Sequence, residues 1–390
     1  MKRTISILLT VCMLLSLCAC GRKRKDETYL MKIGVLEPMS GKYSEQGKRE
    51  TLGIQYANAS TPTVELGGKT YRVELVLKDN GSDAIQSEKA AQELVNAGCA
   101  IVLGSYSALL SNAASDVFRD AGLPAIAANC EDDSVTKGND HYFRICALPE
   151  LQGAALARFA KKSLYAKSAY CLAEIGSEED EKLVRAFCRA AEALSIRVVT
   201  TAFPPNTVDF TPYLNAAEEE DVSVIFAPCA LRYAELLVEQ SDPKGGTAPM
   251  LADARWADGA LLAALEEKQL PVYVSAAYAE GADAAFDAAF KAWLNDNSEA
   301  LTLNGGNDAV SPESALGYDA YFTALAAAKA AKSADKADIL AILPIIARTG
   351  VTGEYSFDED GGAVRSALWV EKANAKTQKW EFVTAVRAEG

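Results

Sequence analysis

Two serines and a tyrosine are packed into one short break in the chain, Gly104-Ser105-Tyr106-Ser107. The apolar run 101–103 before it has the pattern of a buried strand. After it, Leu109, Ala113, Val117 and Ala121 recur every fourth residue, with Leu110, Ala114 and Phe118 beside them, which predicts a helix. Gly122 is placed to end that helix, and Pro124 opens a second apolar run at 125–128. Strand, helix and strand in this order predict a parallel pair with a right-handed crossover. The break at 104–107 therefore falls where a strand's C-terminal end meets a helix N-terminus. Backbone N–H groups and the Ser105 and Ser107 hydroxyls converge there and can hold a carboxylate or another acceptor. Open parallel sheets bind ligands at this edge.

Other chemistry is sparse. His141 is the one histidine in the chain, and it falls in a predicted strand. There is no G-x-S-x-G elbow, no His-containing metal motif and no Walker A loop. Gly68-Lys69-Thr70 fails as a phosphate loop, because position 63 is Thr and no helix follows. Of nine cysteines, Cys12, Cys18 and Cys20 lie in the leader. The other six form no C-x-x-C pair and are most simply small buried hydrophobes, with disulfides left open. Two acidic turns stand out, Glu131-Asp132-Asp133 and Ser177-Glu178-Glu179-Asp180. The second resembles a helix capping box.

The elements that must position these residues alternate along the chain. Strands are expected near 32–36 and 71–77, with helices near 46–59 and 83–96, leading into the central unit. Beyond a strand at 141–146, helix and strand alternate again from 150 to 252, a second α/β domain of the same type. A strand at 272–276 follows, then helices near 284–295, 312–331 and 335–343, and a final hairpin of 367–371 with 380–386.

The chain has 390 residues, enough for two domains, with 49% hydrophobic and 24% charged residues. Residues 1–20 combine Lys2 and Arg3 with an apolar stretch too short to span a membrane, the pattern of an export signal. Leu17-Cys18-Ala19-Cys20 resembles a bacterial lipobox, which implies cleavage before Cys20, lipid on its thiol and anchoring at the outer face of the membrane. Residues 21–30 read as a basic tether. Without residues 1–20, 37 basic residues face 53 acidic ones, near −16, which argues against nucleic acid as a partner.

Several stretches together carry a family resemblance: IGVLEPMSGKYSEQG, VELVLKDNGSDAIQSEKAAQELVNAG, GSYSALLSNAASDVFRDAGLPAIAA, FAPCALRYAELLVEQ, PMLADARW and GVTGEYSFDEDG. In this order the chain resembles a branched-chain-amino-acid-type solute-binding lipoprotein of an ABC transporter, with the type I periplasmic-binding fold. The resemblance implies two doubly wound α/β domains joined by three hinge crossings, placed near 146–149, 275–278 and 357–362. The first domain is then 31–147 plus 276–357, and the second 148–275 plus 358–390. It implies a monomer without cofactor or catalysis, closing on a small polar solute (amino acid, amide or related compound) and delivering it to permease subunits. A ligand sensor for a membrane receptor is the alternative, and a hydrolase on the same architecture a remote one.

The resemblance also nominates site residues. Ser105 and Ser107 stand in the carboxylate-binding turn, although Ala108 replaces a common hydroxyl. Asn129, Cys130 and Glu131 follow the next strand, with an acid where a hydroxyl is usual. Asp253 is the nominated partner of a ligand ammonium, Ala230 stands where an aromatic contact is usual, and Glu179 falls near another. Each also reads as an ordinary loop residue or cap. Acids in place of neutral groups favour a cationic, polyamine-like or amide ligand, because buried carboxylates need compensation.

Overall fold

A computed structural model describes residues 28–242 and 246–387. The leader, Cys20 and tether residues 21–27 lie outside the described residues, whereas Tyr29 and Leu30, expected in the tether, already belong to the first strand. The first half runs β1 (Tyr29–Glu37), α1 (Ser44–Ser60), β2 (Thr63–Leu66), β3 (Lys69–Asp79), α2 (Ala84–Asn96), β4 (Ile101–Leu103), α3 (Ala108–Ala121), β5 (Ala125–Ala127) and β6 (Tyr142–Arg144). These strands form one sheet in the order β2-β3-β1-β4-β5-β6, parallel except for β2. The strand order reverses between β1 and β4. Glu37 and Gly104 thus end the two strands that flank the crevice where such sheets bind ligands.

The chain continues through α4 (Pro149–Lys162), β7 (Ser168–Glu174), α5 (Glu178–Ala193), β8 (Arg197–Phe203), α6 (Thr211–Glu219), β9 (Val224–Phe226), α7 (Leu231–Gln240), β10 (Met250–Ala252), α8 (Gly259–Ala264) and β11 (Val272–Ala276). It then passes α9 (Ala284–Asp296), α10 (Ser298–Leu303), α11 (Pro312–Ala331), α12 (Lys336–Ile342), β12 (Ala347–Gly350), β13 (Gly353–Phe357), β14 (Ala363–Arg365), β15 (Ala367–Asn374) and β16 (Lys379–Arg387). The second sheet has the order β16-β15-β11-β10-β9-β7-β8, with β15 and β16 antiparallel additions. Its order reverses between β7 and β9, so the loops after Glu174 and Phe226 flank the matching crevice.

The third crossing differs from the expected 357–362. β14 still pairs with β13 beside the first domain, where Tyr355 and Phe357 join the core of the first sheet. Arg144 bridges Gly362 across to the same domain, and the chain changes sheet only at Ser366. Short paired strands at 347–365 supply the backbone partners that hold this segment back. The central helix also turns a different row inward. Leu110, Ala114 and Phe118 are buried, whereas Leu109 is 59% exposed. Both rows have helical spacing, and only the sheet position selects between them.

The helices of 312–331 and 44–60 explain how the chain returns to the first domain. A Cβ on Gly53 would lie 1.9 Å from the Ser314 carbonyl oxygen, and one on Gly317 would lie 2.2 Å from that of Glu50. The α1 and α11 backbones touch at these glycines, which brings Glu313 beside Glu50.

Candidate functional site

The turn after β4 is built rigidly. Asn80 donates to the Ser105 Oγ at 2.7 Å, and Ser111 donates to the Ser105 carbonyl at 2.8 Å. Ser105 is fully buried by these contacts. Ser107 sits at φ 78°, immediately before α3, and its Oγ is buried with no hydrogen-bond partner among the described residues. Ala108 follows as the first residue of α3. The Tyr106 N–H donates to Glu37 at 3.0 Å, and its ring packs on Tyr43 with centroids 5.7 Å apart. Burial pushes the Tyr106 phenol up, reinforced by Glu313, Glu131, Glu50 and Glu179, so acids of both domains surround this ring.

Glu37 and Glu50 stand behind the turn, both fully buried. Burial raises Glu37 well above the usual carboxylate range, with the adjacent Glu50 adding to it. Burial pushes Glu50 up to about 8. The pair therefore holds a proton at neutral pH, and the Glu37 oxygen left over accepts from Tyr106. Glycine is required at 104, where φ is 108° and a Cβ would meet the Leu36 carbonyl at 2.2 Å and Glu37 Oε1 at 2.4 Å.

After β5 the three nominated positions part ways. Asn129 is half-buried, and its carbonyl accepts from the Ser107 N–H at 3.5 Å. Cys130 turns away from the cleft into the core with Val135 and Tyr142, and its carbonyl accepts from the Cys146 thiol. Its nomination as a ligand contact is corrected on that ground: a small apolar thiol gains more from the core than from a polar cleft. Glu131 points between the domains. It lines a small cavity beside the hinge with Asn129, Gln152, Ala254, Ser275 and Leu368. Burial pushes Glu131 up to about 7, and Asp253 and Glu179 push it the same way.

The facing wall is organised by Arg255, which sequence reasoning passed over although it lies in LADARW. Its guanidinium pairs with Glu179 at 2.9 Å, Asp180 at 3.2 Å and Asp253 at 2.8 Å, and it donates to the Pro228 carbonyl at 2.5 Å. Burial opposes the Arg255 charge, yet Asp253, Glu179 and Asp180 hold its pKa above the usual value. Asp253 also caps the turn after β10, accepting from the Arg255 N–H at 3.1 Å. Its carboxylate is thus committed to Arg255 rather than left free for a ligand ammonium. Three acids, Glu179, Asp180 and Asp253, share one guanidinium here, with Glu131 nearby, which leaves an excess of acidic groups. Ala230 precedes α7 as a half-buried cap without a side-chain hydrogen bond, its methyl packed against the second-domain core. Lys182 reaches across from α5 to Asp132 at 3.4 Å and ties the two walls together.

The chain belongs to the periplasmic binding protein family, whose model matches residues 31–378. The Leu/Ile/Val-binding protein of Escherichia coli K12 is 27% identical over 130 residues, 33% of this chain and 35% of that protein. The matched stretch thus spans about a third of that relative's length. A solved leucine binding protein from Thermotoga maritima superposes with a TM-score of 0.71 at 24% identity, covering 92% of this chain and 99% of that one. A solute binding protein from R. palustris, solved in complex with benzoate, gives 0.68 at 18% identity, covering 92% and 96%. These structures share the two-domain α/β fold described above.

Proposed function

We propose that this chain captures a small polar solute between its two domains and delivers it to an ABC permease, without catalysis. Lipid on Cys20 would hold it at the outer face of the membrane. The observation that carries the reading is the convergence of both sheets' C-terminal crevices on one polar cleft. Ser107 offers a buried, unpartnered hydroxyl there beside the free N–H groups of α3. Leucine and benzoate, named for two of the related structures, each carry a carboxylate, and this turn suits one. Glu131 and the acids around Arg255 supply the opposite pole for an ammonium or amide. The membership of the chain in a family of binding proteins supports capture over turnover.

The test is a thermal-shift screen of residues 26–390 against amino acids, amides, polyamines, nucleosides and small organic acids. A ligand of the folded state at a hundredfold excess over its Kd adds about 2.7 kcal/mol of stability. A dose-dependent rise in midpoint, lost in Ser107→Val, supports capture at this turn. A solute that is chemically altered after incubation would overturn the binding-protein reading.

A further inference from the structure

Among the described residues, Cys99, Cys130, Cys146, Cys171 and Cys229 are buried thiols. Cys188, in α5, is the half-buried exception. Its Sγ lies 3.8 Å from the Sγ of Cys171 in β7, so the two sulfurs are in contact. Two periodicities bring them together. Alternation along β7 sends Ala169, Cys171 and Ala173 to the face that α5 covers, and Tyr170 and Leu172 to the other. In α5, Leu183, Phe187 and Ala191 form the buried row, with Phe187 stacked on Phe226 of β9 at 4.3 Å between ring centroids. Cys188 stands at the edge of that row and meets β7 on one side and open space on the other.

The open space is a groove of about 530 Å³ beside the edge strand β8, lined by Ala173, Val184, Cys188, Arg189 and Thr200 among others. A molecule in this groove touches Cys188, whereas Cys171 lies beneath it, fully buried. The contact with Cys171 holds the Cys188 thiol below its ordinary pKa, while that same contact and burial hold Cys171 well above its own. Burial likewise raises Cys99, Cys130, Cys146 and Cys229. The accessible member of the pair is therefore also the first to ionise, and the thiolate is the nucleophile. Periplasmic binding proteins work outside the cytoplasm, where disulfides form and persist.

We propose that Cys188 and Cys171 form an exchange-active dithiol, in which Cys188 attacks a low-molecular-weight disulfide in the groove and Cys171 resolves the adduct into an intramolecular disulfide. The Cys188 thiolate attacks one sulfur of the small disulfide, whose S–S bond breaks and releases one thiolate. The Cys171 sulfur then attacks the Cys188 sulfur and releases the second thiolate. The protons given up by the two cysteines end on the two released thiols. Two cysteine thiols lose two electrons, and one external disulfide gains them. The new bond ties α5 to the sheet beneath it, and the first turn of α5 carries Glu179 and Asp180 of the cleft wall.

The experiment reduces the full chain, removes the reductant and adds glutathione disulfide at neutral pH. Free thiols are then blocked with N-ethylmaleimide under denaturing conditions, and the peptides are mapped by mass spectrometry. Cys171 and Cys188 should be joined, with Cys99, Cys130, Cys146 and Cys229 carrying maleimide. Cys171→Ser should stop at a glutathione adduct on Cys188, and Cys188→Ser should leave Cys171 a free thiol. The two cysteines are 17 positions apart, so the oxidised protein should melt a few degrees above the reduced one, a rise absent from both variants. Free thiols at both positions after treatment, a bond to any other cysteine, or an adduct on Cys171 in Cys188→Ser overturns the inference. The wild-type peptide map decides it even where a variant fails to fold.

Discussion

Replacing Glu50 by Gln should make this protein more stable, and more so the higher the pH. Glu50 is fully buried on α1 against Glu37, and its carboxyl is pushed from the ordinary 4.5 to about 8, first by burial. Below pH 4.5 the folded and unfolded chains both hold this proton, and folding pays no penalty for it. As pH rises, the unfolded chain ionises freely while the folded one must keep the proton, so stability falls until pH passes about 8. Each pH unit in that interval is about 1.36 kcal/mol, which sets an upper limit of about 5 kcal/mol. Relaxation of the ionised pair recovers part of it, so a difference of at least about 2 kcal/mol at pH 8 is expected. Gln stays neutral throughout and can still bond to Glu37. Urea unfolding of wild type and Glu50→Gln at pH 5 and pH 8 reads the effect directly. The two proteins should nearly coincide at pH 5 and separate at pH 8. An equal difference at both pH values, or a Gln variant less stable at pH 8, would refute the shared-proton account of the turn.

Arg255→Met should cost about 3–5 kcal/mol at pH 7, because it strands the buried carboxylates of Asp180 and Asp253. The loss should shrink as the pH is lowered, because burial already raises Asp180 and favours its uptake of a proton; urea midpoints at neutral and acidic pH check this. By contrast, Lys182→Ala removes a half-exposed pair with Asp132 and should change stability by about 1 kcal/mol or less, with a difference that vanishes in 1 M salt. Gly53→Ala places a methyl against the Ser314 carbonyl at 1.9 Å and should destabilise by about 2 kcal/mol or more, seen as a lower melting midpoint.

Much of the architecture was legible from periodicity. The strand–turn–helix around Gly104, the alternation from 150 to 252 and the closing hairpin follow from apolar spacing and from Gly and Pro punctuation, which act within a few residues. The sheet at 347–365 was missed, because its strands are short and Gly-rich and their partners are brought in by the fold. Likewise the inward row of α3, Leu110-Ala114-Phe118 rather than Leu109-Ala113-Val117, depends on where β4 and β5 aim the helix.

The site divides in the same way. Ser107 and Glu131 could be found because they stand at the C-terminal ends of recognisable strands, and the acidic balance of the chain was visible in its composition. What a carboxylate touches could not be read. Asp253 is claimed by Arg255 two residues on, but the same guanidinium also gathers Glu179 and Asp180 from the first turn of α5, more than 70 residues earlier. Glu37 and Glu50 meet only because β1 and α1 fold back on each other. Local sequence determined which elements form and where acids are plentiful. Only the tertiary structure decided which acids are paired, which share a proton and which are left bare, because burial and charge–charge distance belong to the folded arrangement and not to the order of residues.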